Sequence, residues 1–145
     1  MTPETQALTQ RIAKALNESN VELIEKVVDA VGPQKAAKIF AKAAKMYKSG
    51  VKTLDGSRNR TAGGCFFYVA KGALRRKQRF QVGLYFEGEL KALQALQEQG
   101  YSRQEAAQYL ADKAQELTKA EHKKLVKQLA GEEVEEEAIV TSPEA

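Results

Sequence analysis

The chain has 145 residues, of which 43% are apolar, and a net charge of +4. This length and apolar content are enough for one packed domain. No uninterrupted apolar stretch reaches 18 residues, the length that a membrane-spanning helix needs. The first ten residues lack the basic-then-apolar pattern of a signal peptide, so we expect a soluble cytoplasmic protein without a membrane partner. Cys65 and His122 are the only cysteine and histidine, which excludes an internal disulfide and a zinc site of the usual type. We expect no cofactor.

Two short helices are predicted at the start of the chain. Thr2-Pro3 places a capping residue before a proline, and apolar residues at spacing four then carry a helix to about Leu16. Ser19 and Glu22 have the spacing of a capping box, which predicts the start of a second helix. This helix is expected to end at Gly32-Pro33, because glycine and proline together interrupt helical patterns.

A third helix is predicted from Pro33 to Ser49-Gly50, with one apolar face and one lysine face. The expected core face consists of Ala36, Ile39, Phe40, Ala43 and Tyr47. The opposite face carries Lys35, Lys38, Lys42 and Lys45. No Asp or Glu occurs between positions 34 and 54, so these lysines lack the acidic neighbours at spacing four that exposed helices often have. An external anion is therefore expected to bind this face, and a merely solvated face is the structural alternative.

The segment from Ser49-Gly50 to Gly64 is predicted to be a loop, because it is rich in glycine and small polar residues. Its backbone N–H groups, hydroxyls and guanidinium groups suit phosphate oxygens. The side chains concerned belong to Ser57, Arg58, Arg60 and Thr61. If Gly63-Gly64 begins the next helix, the free N–H groups there add a second anion site, and the glycines let a sugar-phosphate backbone approach closely.

On the helix that follows, one face is predicted to carry a single aromatic ring among cations. The residues of this face are Gly64, Tyr68, Lys71 and Arg75. Such a combination is typical of single-strand recognition, in which cations bind phosphates and the ring stacks on a base. The structural alternative is that Tyr68 packs beneath the third helix with its hydroxyl at the surface. Phe66 and Phe67 are assigned to the core.

The rest of the chain is also predicted to be helical. Residues 80–86 are ambiguous between a helix and a short extended piece, and we assign them to a helix. A leucine-rich helix then ends at a glycine, and two capping boxes start the last two helices. The pairs that form these boxes are Ser102 with Glu105 and Thr118 with Glu121.

The predicted fold class is all-α, a compact multi-helix single domain with a Gly/Arg-rich binding loop. The domain is expected to span residues 1–131. Residues 132–145 begin with five Glu among six residues and cannot bury enough apolar surface to fold, so they are expected to form a disordered acidic tail.

Charge is distributed unevenly along the chain. Residues 1–80 carry 16 Lys and Arg against 6 Asp and Glu, whereas residues 81–145 carry 7 against 13. Within residues 34–79, 13 basic residues stand against Asp55 alone, a local charge of +12 that would repel itself without an anionic partner. A block of this kind suits a nucleic acid or an anionic membrane surface, and of the two we expect a nucleic acid as the partner.

One segment carries a specific motif. Residues 56–66 read Gly-Ser-Arg-Asn-Arg-Thr-Ala-Gly-Gly-Cys-Phe. This motif resembles the RNA-binding domain of the phosphorylated adaptor for RNA export, whose pattern is glycine, serine, three basic residues, threonine, proline, two glycines, a small apolar residue and phenylalanine. Upstream, Gly32 followed by Lys35-Ala36 is similar too. The resemblance covers about residues 10–75 and leaves additional C-terminal helices at about 82–131.

The resemblance implies a wholly helical domain that binds single-stranded RNA with little sequence preference. The loop residues it implies as RNA contacts are Gly56, Ser57, Arg58, Arg60, Thr61, Gly63 and Gly64. Asn59 belongs to the same candidate loop but replaces the central basic residue, which should weaken phosphate affinity. Ala62 replaces the proline and should make the loop more flexible. The role in RNA export is not carried over to this chain.

Other interpretations stay open at this point. The segment Val31-Gly32-Pro33 is compatible with the turn of a DNA-binding helix-turn-helix, although lysines are poor base readers. The chain is also compatible with a scaffold that docks an acidic protein, and the C-terminal helices with a protein partner or self-association. Catalysis is not expected: Cys65, with no histidine near it in the sequence, is assigned to the core, and His122, in a charged run, to the surface.

Overall fold

The computed structural model describes residues 2–53 and 55–132, and all regular structure in them is helical. The all-α fold class is therefore confirmed. Contacts divide the chain into two compact units, Met1–Leu84 and Tyr85–Ala145. None of the described helices is long and apolar enough to cross a membrane. The predicted acidic tail lies outside the described residues, apart from Glu132.

Five helices are formed by the part of the first unit that the structure describes. They are α1 (Pro3–Leu16), α2 (Val21–Val31), α3 (Pro33–Ser49), α4 (Ala62–Ala73) and α5 (Arg76–Val82). The start of α1 is as predicted, because the Thr2 hydroxyl accepts a hydrogen bond from the N–H of Thr5 at 3.1 Å. The capping box predicted at Ser19 is wrong. Asn20 caps α2 instead, and its Oδ1 accepts from the N–H of Leu23 at 3.2 Å.

The core of the first unit is formed where α1 to α4 pack together. Its fully buried side chains include Ile24, Val27, Val28, Ala36, Ala43, Cys65, Phe66 and Ala70. Helix α3 packs against α4, and the Nζ of Lys35 near the start of α3 donates to the carbonyl of Ala73 at the end of α4. The two helices therefore run antiparallel, with the loop of residues 50–61 joining their adjacent ends.

Two side chains of α3 depart from the predicted core face. Phe40 is only half-buried, and Tyr47 is 51% exposed. Ala36, Ile39 and Ala43 on the same face are buried as expected. Tyr47 lies in the last turn of α3, so its wheel position does not by itself bring it under a neighbouring helix. Helical periodicity predicts the direction of a side chain but not where the neighbouring helix ends.

The segment after Gly64 is not one continuous helix. Helix α4 ends at Ala73, and Leu74 and Arg75 are extended before α5 begins. The Arg79 side chain is buried, and its Nη1 donates to the carbonyl of Leu74 at 2.7 Å, which stabilises this break. The helix assigned to residues 80–86 is correct only as far as Val82, because Gly83 adopts a left-handed conformation that ends α5.

The described residues of the second unit form three helices, α6 (Glu87–Glu98), α7 (Arg103–Glu116) and α8 (Lys119–Leu129). Both predicted capping boxes are confirmed, at the starts of α7 and α8. The surface position expected for His122 is wrong. His122 is 1% exposed, and its Nε2 lies 3.0 Å from the carbonyl oxygen of Leu110. A carbonyl can only accept, so Nε2 carries the hydrogen of this bond.

Candidate nucleic-acid interface

The lysine face of α3 is exposed along its whole length. Its members are Lys35, Lys38, Lys42 and Lys45. None of these four lysines forms an ion pair with a described residue. By contrast, Lys91 pairs with Glu87, and Lys113 pairs with Glu116. Four exposed ammonium groups without carboxylate partners give this helix a cationic face, as the absence of Asp and Glu from positions 34 to 54 predicts.

The loop between α3 and α4 is held by hydrogen bonds between its own two arms. The N–H of Arg60 donates to the carbonyl of Val51, and the N–H of Thr53 donates to the carbonyl of Arg58, each at 2.8 Å. These bonds lie beside an isolated bridge between Lys52 and Asn59. The described part of the loop is therefore a narrow, hairpin-like turn, with the side chain of Arg58 exposed near its tip.

Asp55 organises the tip of this loop. Its Oδ1 accepts from the N–H of Ser57 at 3.0 Å, from the Ser57 hydroxyl at 2.8 Å and from the Thr53 hydroxyl at 2.7 Å. These bonds, the Ser57 N–H foremost, lower the pKa of Asp55 to about 2, so the carboxylate is charged at neutral pH. Ser57 thus donates both of its hydrogens within the loop, and its first role is to shape the turn.

Arg60 and Tyr68 form a cation–aromatic pair. The Arg60 Cζ lies 4.4 Å from the centroid of the Tyr68 ring, which is close enough for a cation–π interaction. The Arg60 Nε is buried and has no hydrogen-bond partner among the described residues. Tyr68 remains 44% exposed. The sequence predicted an aromatic among cations here but did not predict this pairing.

The start of α4 is partly occupied by the protein itself. Thr61 caps the helix, and its Oγ1 accepts from the N–H of Gly64 at 2.9 Å. Gly63 is buried, and a side chain there would collide with the carboxylate of Glu18, whose Oε2 accepts from the N–H of Asn20 at 2.9 Å. The missing side chain of Gly63 therefore makes room for Glu18. The sequence offered no signal for this contact, because the two residues are 45 positions apart.

Further basic residues lie at and beyond the end of α4. Lys71 on α4 is half-buried, and Arg75 is exposed in the extended linker. The prediction that the two share one helix face is therefore wrong. Arg76 and Lys77, which the sequence reasoning did not single out, are half-buried at the start of α5. The dense run of cations from Arg75 to Arg79 could have indicated these two residues as candidates.

Cys65 lies inside the core, as predicted. It is fully buried, and burial raises the pKa of its thiol, against a smaller opposing effect of the Arg60 charge. A thiol with a raised pKa and no access to solvent is a poor nucleophile. Cys65 is therefore a packing residue of α4.

The fold and this surface define an all-helical protein whose first unit carries a cationic face and a cation–aromatic pair. A family model described as the RNA-binding domain of the phosphorylated adapter RNA export protein matches residues 8–82, more than half of the chain. The chain belongs to this family, as the motif of residues 56–66 had suggested. Comparisons with curated proteins and with solved structures gave no match. Membership of this family supports RNA binding in general.

Proposed function

We propose that this protein is a non-catalytic cytoplasmic protein that binds single-stranded RNA with little sequence preference. The observation that carries the proposal is the Arg60 guanidinium over the exposed ring of Tyr68, in a unit whose loop and α3 also carry exposed cations. A polyanion-binding surface of lysines alone would accept any phosphate polymer. An exposed aromatic ring within it adds an affinity for unpaired bases, which duplexes keep stacked inside.

The phosphate backbone is proposed to follow the exposed cations of the loop and of α3. Arg58 has an exposed guanidinium that suits bidentate contact with phosphate oxygens. The other exposed groups proposed to contact the backbone are Lys35, Lys38, Lys42, Lys45, Gly56, Asn59 and Arg75. Half-buried Lys71 on α4 extends this set, whereas Ser57, Thr61, Gly63 and Gly64 are proposed to shape the site rather than to bear phosphate.

A base is proposed to stack on the layer formed by Tyr68 and Arg60. Arg60 is held at one end by its backbone bond to Val51 and at the other by the ring of Tyr68, so its guanidinium plane is ordered before RNA arrives. An ordered side chain loses less conformational entropy on binding than a free one. The same guanidinium remains available to a phosphate through its Nη groups.

The test is a salt series of RNA binding with Arg58→Ala, Arg60→Ala and the double variant. For single strands, log K falls with log salt at a slope of about −0.7 per phosphate contact, so each substitution should make the slope shallower by somewhat under one unit. Lys123→Ala/Lys124→Ala is the matched control, since it removes two exposed charges from α8 in the second unit. A folded arginine double variant that binds single-stranded RNA as tightly as the parent would exclude this site.

A further inference from the structure

Tyr47 is the most exposed of the large apolar side chains in the described part of the chain, at 51%. The described residues of the first unit contain two exposed large apolar side chains, Tyr47 and Tyr68. Tyr68 has Arg60 over its ring, whereas the Tyr47 ring makes no aromatic or cation–π contact with a described residue. A large aromatic surface left in water is unfavourable unless a partner covers it.

Tyr47 lies at the same end of the helix pair as the candidate loop. Its carbonyl accepts from the N–H of Gly50 at 3.1 Å, where α3 ends, and the next residue, Val51, is bonded to Arg60. Tyr47 is therefore four residues along the chain from Val51, the residue that anchors Arg60. The antiparallel packing of α3 and α4 keeps this end of α3 beside the start of α4.

The charges around Tyr47 are those of a polyanion site. Lys45, Lys48 and Lys52 flank it in sequence, and all three are exposed. No acidic residue occurs between positions 34 and 54 to neutralise them. An uncovered aromatic ring among unpaired cations is the arrangement with which single-strand-binding proteins stack successive bases.

We propose that Tyr47 is a second base-stacking residue, so that the site takes a single strand with two unpaired bases, one on Tyr47 and one on the Tyr68–Arg60 pair. The inference rests on the proposed function, because it assigns a further contact to the same RNA site. It specifies the ligand more narrowly: an RNA whose bases are free to leave their stack, held by its phosphates between two aromatic residues.

The test compares an oligoadenylate of about ten nucleotides, within the usual site size, with an abasic sugar-phosphate strand of the same length. Tyr47→Ala should weaken binding of the oligoadenylate about 5- to 100-fold, leave its salt slope unchanged, and leave binding of the abasic strand unchanged. Tyr47→Phe should bind both like the parent. Tyr101→Ala, which removes an exposed tyrosine from the second unit, is the matched control and should have no effect.

A photoreactive oligoadenylate supplies an independent readout, and the peptide containing Tyr47 should be a major crosslinked product. If Arg58→Ala/Arg60→Ala weakens binding while folded Tyr47→Ala binds oligoadenylate like the parent, the inference is wrong and the proposed function stands. If both variants bind like the parent, both are wrong. Equal losses on the oligoadenylate and the abasic strand would also overturn the inference, because stacking requires bases.

Discussion

Gly63 lies next to a carboxylate of its own protein, which changes the meaning of this glycine in the motif. A methyl group at position 63 would meet the Glu18 carboxylate, so the Glu18 side chain, which accepts from the Asn20 N–H, would have to move. The contact joins the turn between α1 and α2 to the start of α4. Packing within the protein is thus enough to explain why this motif position is a glycine, without any ligand.

We therefore predict that the effect of Gly63→Ala on stability depends on Glu18. Alanine is favoured over glycine in a helix by about 1 kcal/mol, but displacing Glu18 costs a hydrogen bond worth about 1 kcal/mol. The single variant should be close to neutral, and Gly63→Ala in a Glu18→Ala background should stabilise by about 0.5–1 kcal/mol in urea unfolding.

Gly72→Ala is the control for this cycle. Gly72 lies in the same helix with open space around it, so its substitution should give a similar gain with or without Glu18. If Gly63→Ala gives the same free-energy change in both backgrounds, the two residues are not coupled and the contact has no energetic importance.

His122 shows where local composition misleads. Its neighbours Glu121, Lys123 and Lys124 are exposed, and that charged run suggested a surface histidine. The place of His122 on the helix determines its burial instead, because His122 and Val126 are four residues apart on the buried face of α8. Periodicity could have predicted the burial of His122. Its bond to the Leu110 carbonyl could not be predicted, since it depends on how α7 and α8 are placed.

One carboxylate, that of Asp55, shapes the tip of the candidate loop. The three hydrogen bonds to the Asp55 Oδ1 come from Thr53 and Ser57, within two residues, so the turn at the tip is locally encoded. The bonds that join its arms run between backbone atoms, from Arg60 to Val51 and from Thr53 to Arg58, and the Thr53 hydroxyl adds a longer bond to the Arg58 carbonyl at 3.3 Å. The sequence predicted a loop here, but backbone pairing leaves no side-chain pattern from which its hairpin form could be inferred.

The lowered pKa of Asp55 gives this loop a defined pH dependence. The folded pKa of about 2 lies below the ordinary value of 3.8, so the contribution of the carboxylate to the turn is complete above 3.8 and is lost as the pH falls through about 2. In an NMR titration, the Ser57 amide resonance should move with a midpoint near pH 2. Asp55→Asn should abolish this transition, and a midpoint near 3.8 in the parent would mean that the bonds do not form in solution.

The helices themselves were largely predictable, and the exceptions have physical causes. The helix starts at Thr2, Ser102 and Thr118 were predicted correctly, because each capping bond forms within one helical turn. The cap of α2 was misplaced because Ser19 and Asn20 are both good capping residues, and local pattern cannot choose between neighbours. The break between α4 and α5 was missed because the buried Arg79 that stabilises it reads as one more exposed cation.

The apolar cluster of the first unit lies entirely within residues 8–84, and the family match ends at residue 82. A unit whose core is built from its own residues is expected to fold alone. We predict that a fragment of residues 1–84 unfolds cooperatively and binds single-stranded RNA with the salt slope of the full chain. A fragment of residues 85–145, most of whose charge is acidic, is the control and should not bind.

An unfolded 1–84 fragment would show that the first unit requires the rest of the chain. A folded fragment with much weaker binding would instead assign part of the RNA site to residues beyond 84. Thermal unfolding followed by circular dichroism, together with the same salt series, distinguishes these two results.

The paired arms of the loop also have a kinetic consequence. A segment that becomes ordered only on its ligand loses conformational entropy at that moment, at about 1–2 kcal/mol for each residue fixed. The bonds of Arg60 and Thr53 to the opposite arm have already fixed much of the described loop before any encounter. Association of a charged strand with such a loop should be limited by electrostatically steered diffusion rather than by rearrangement, so that its rate rises steeply as salt is removed.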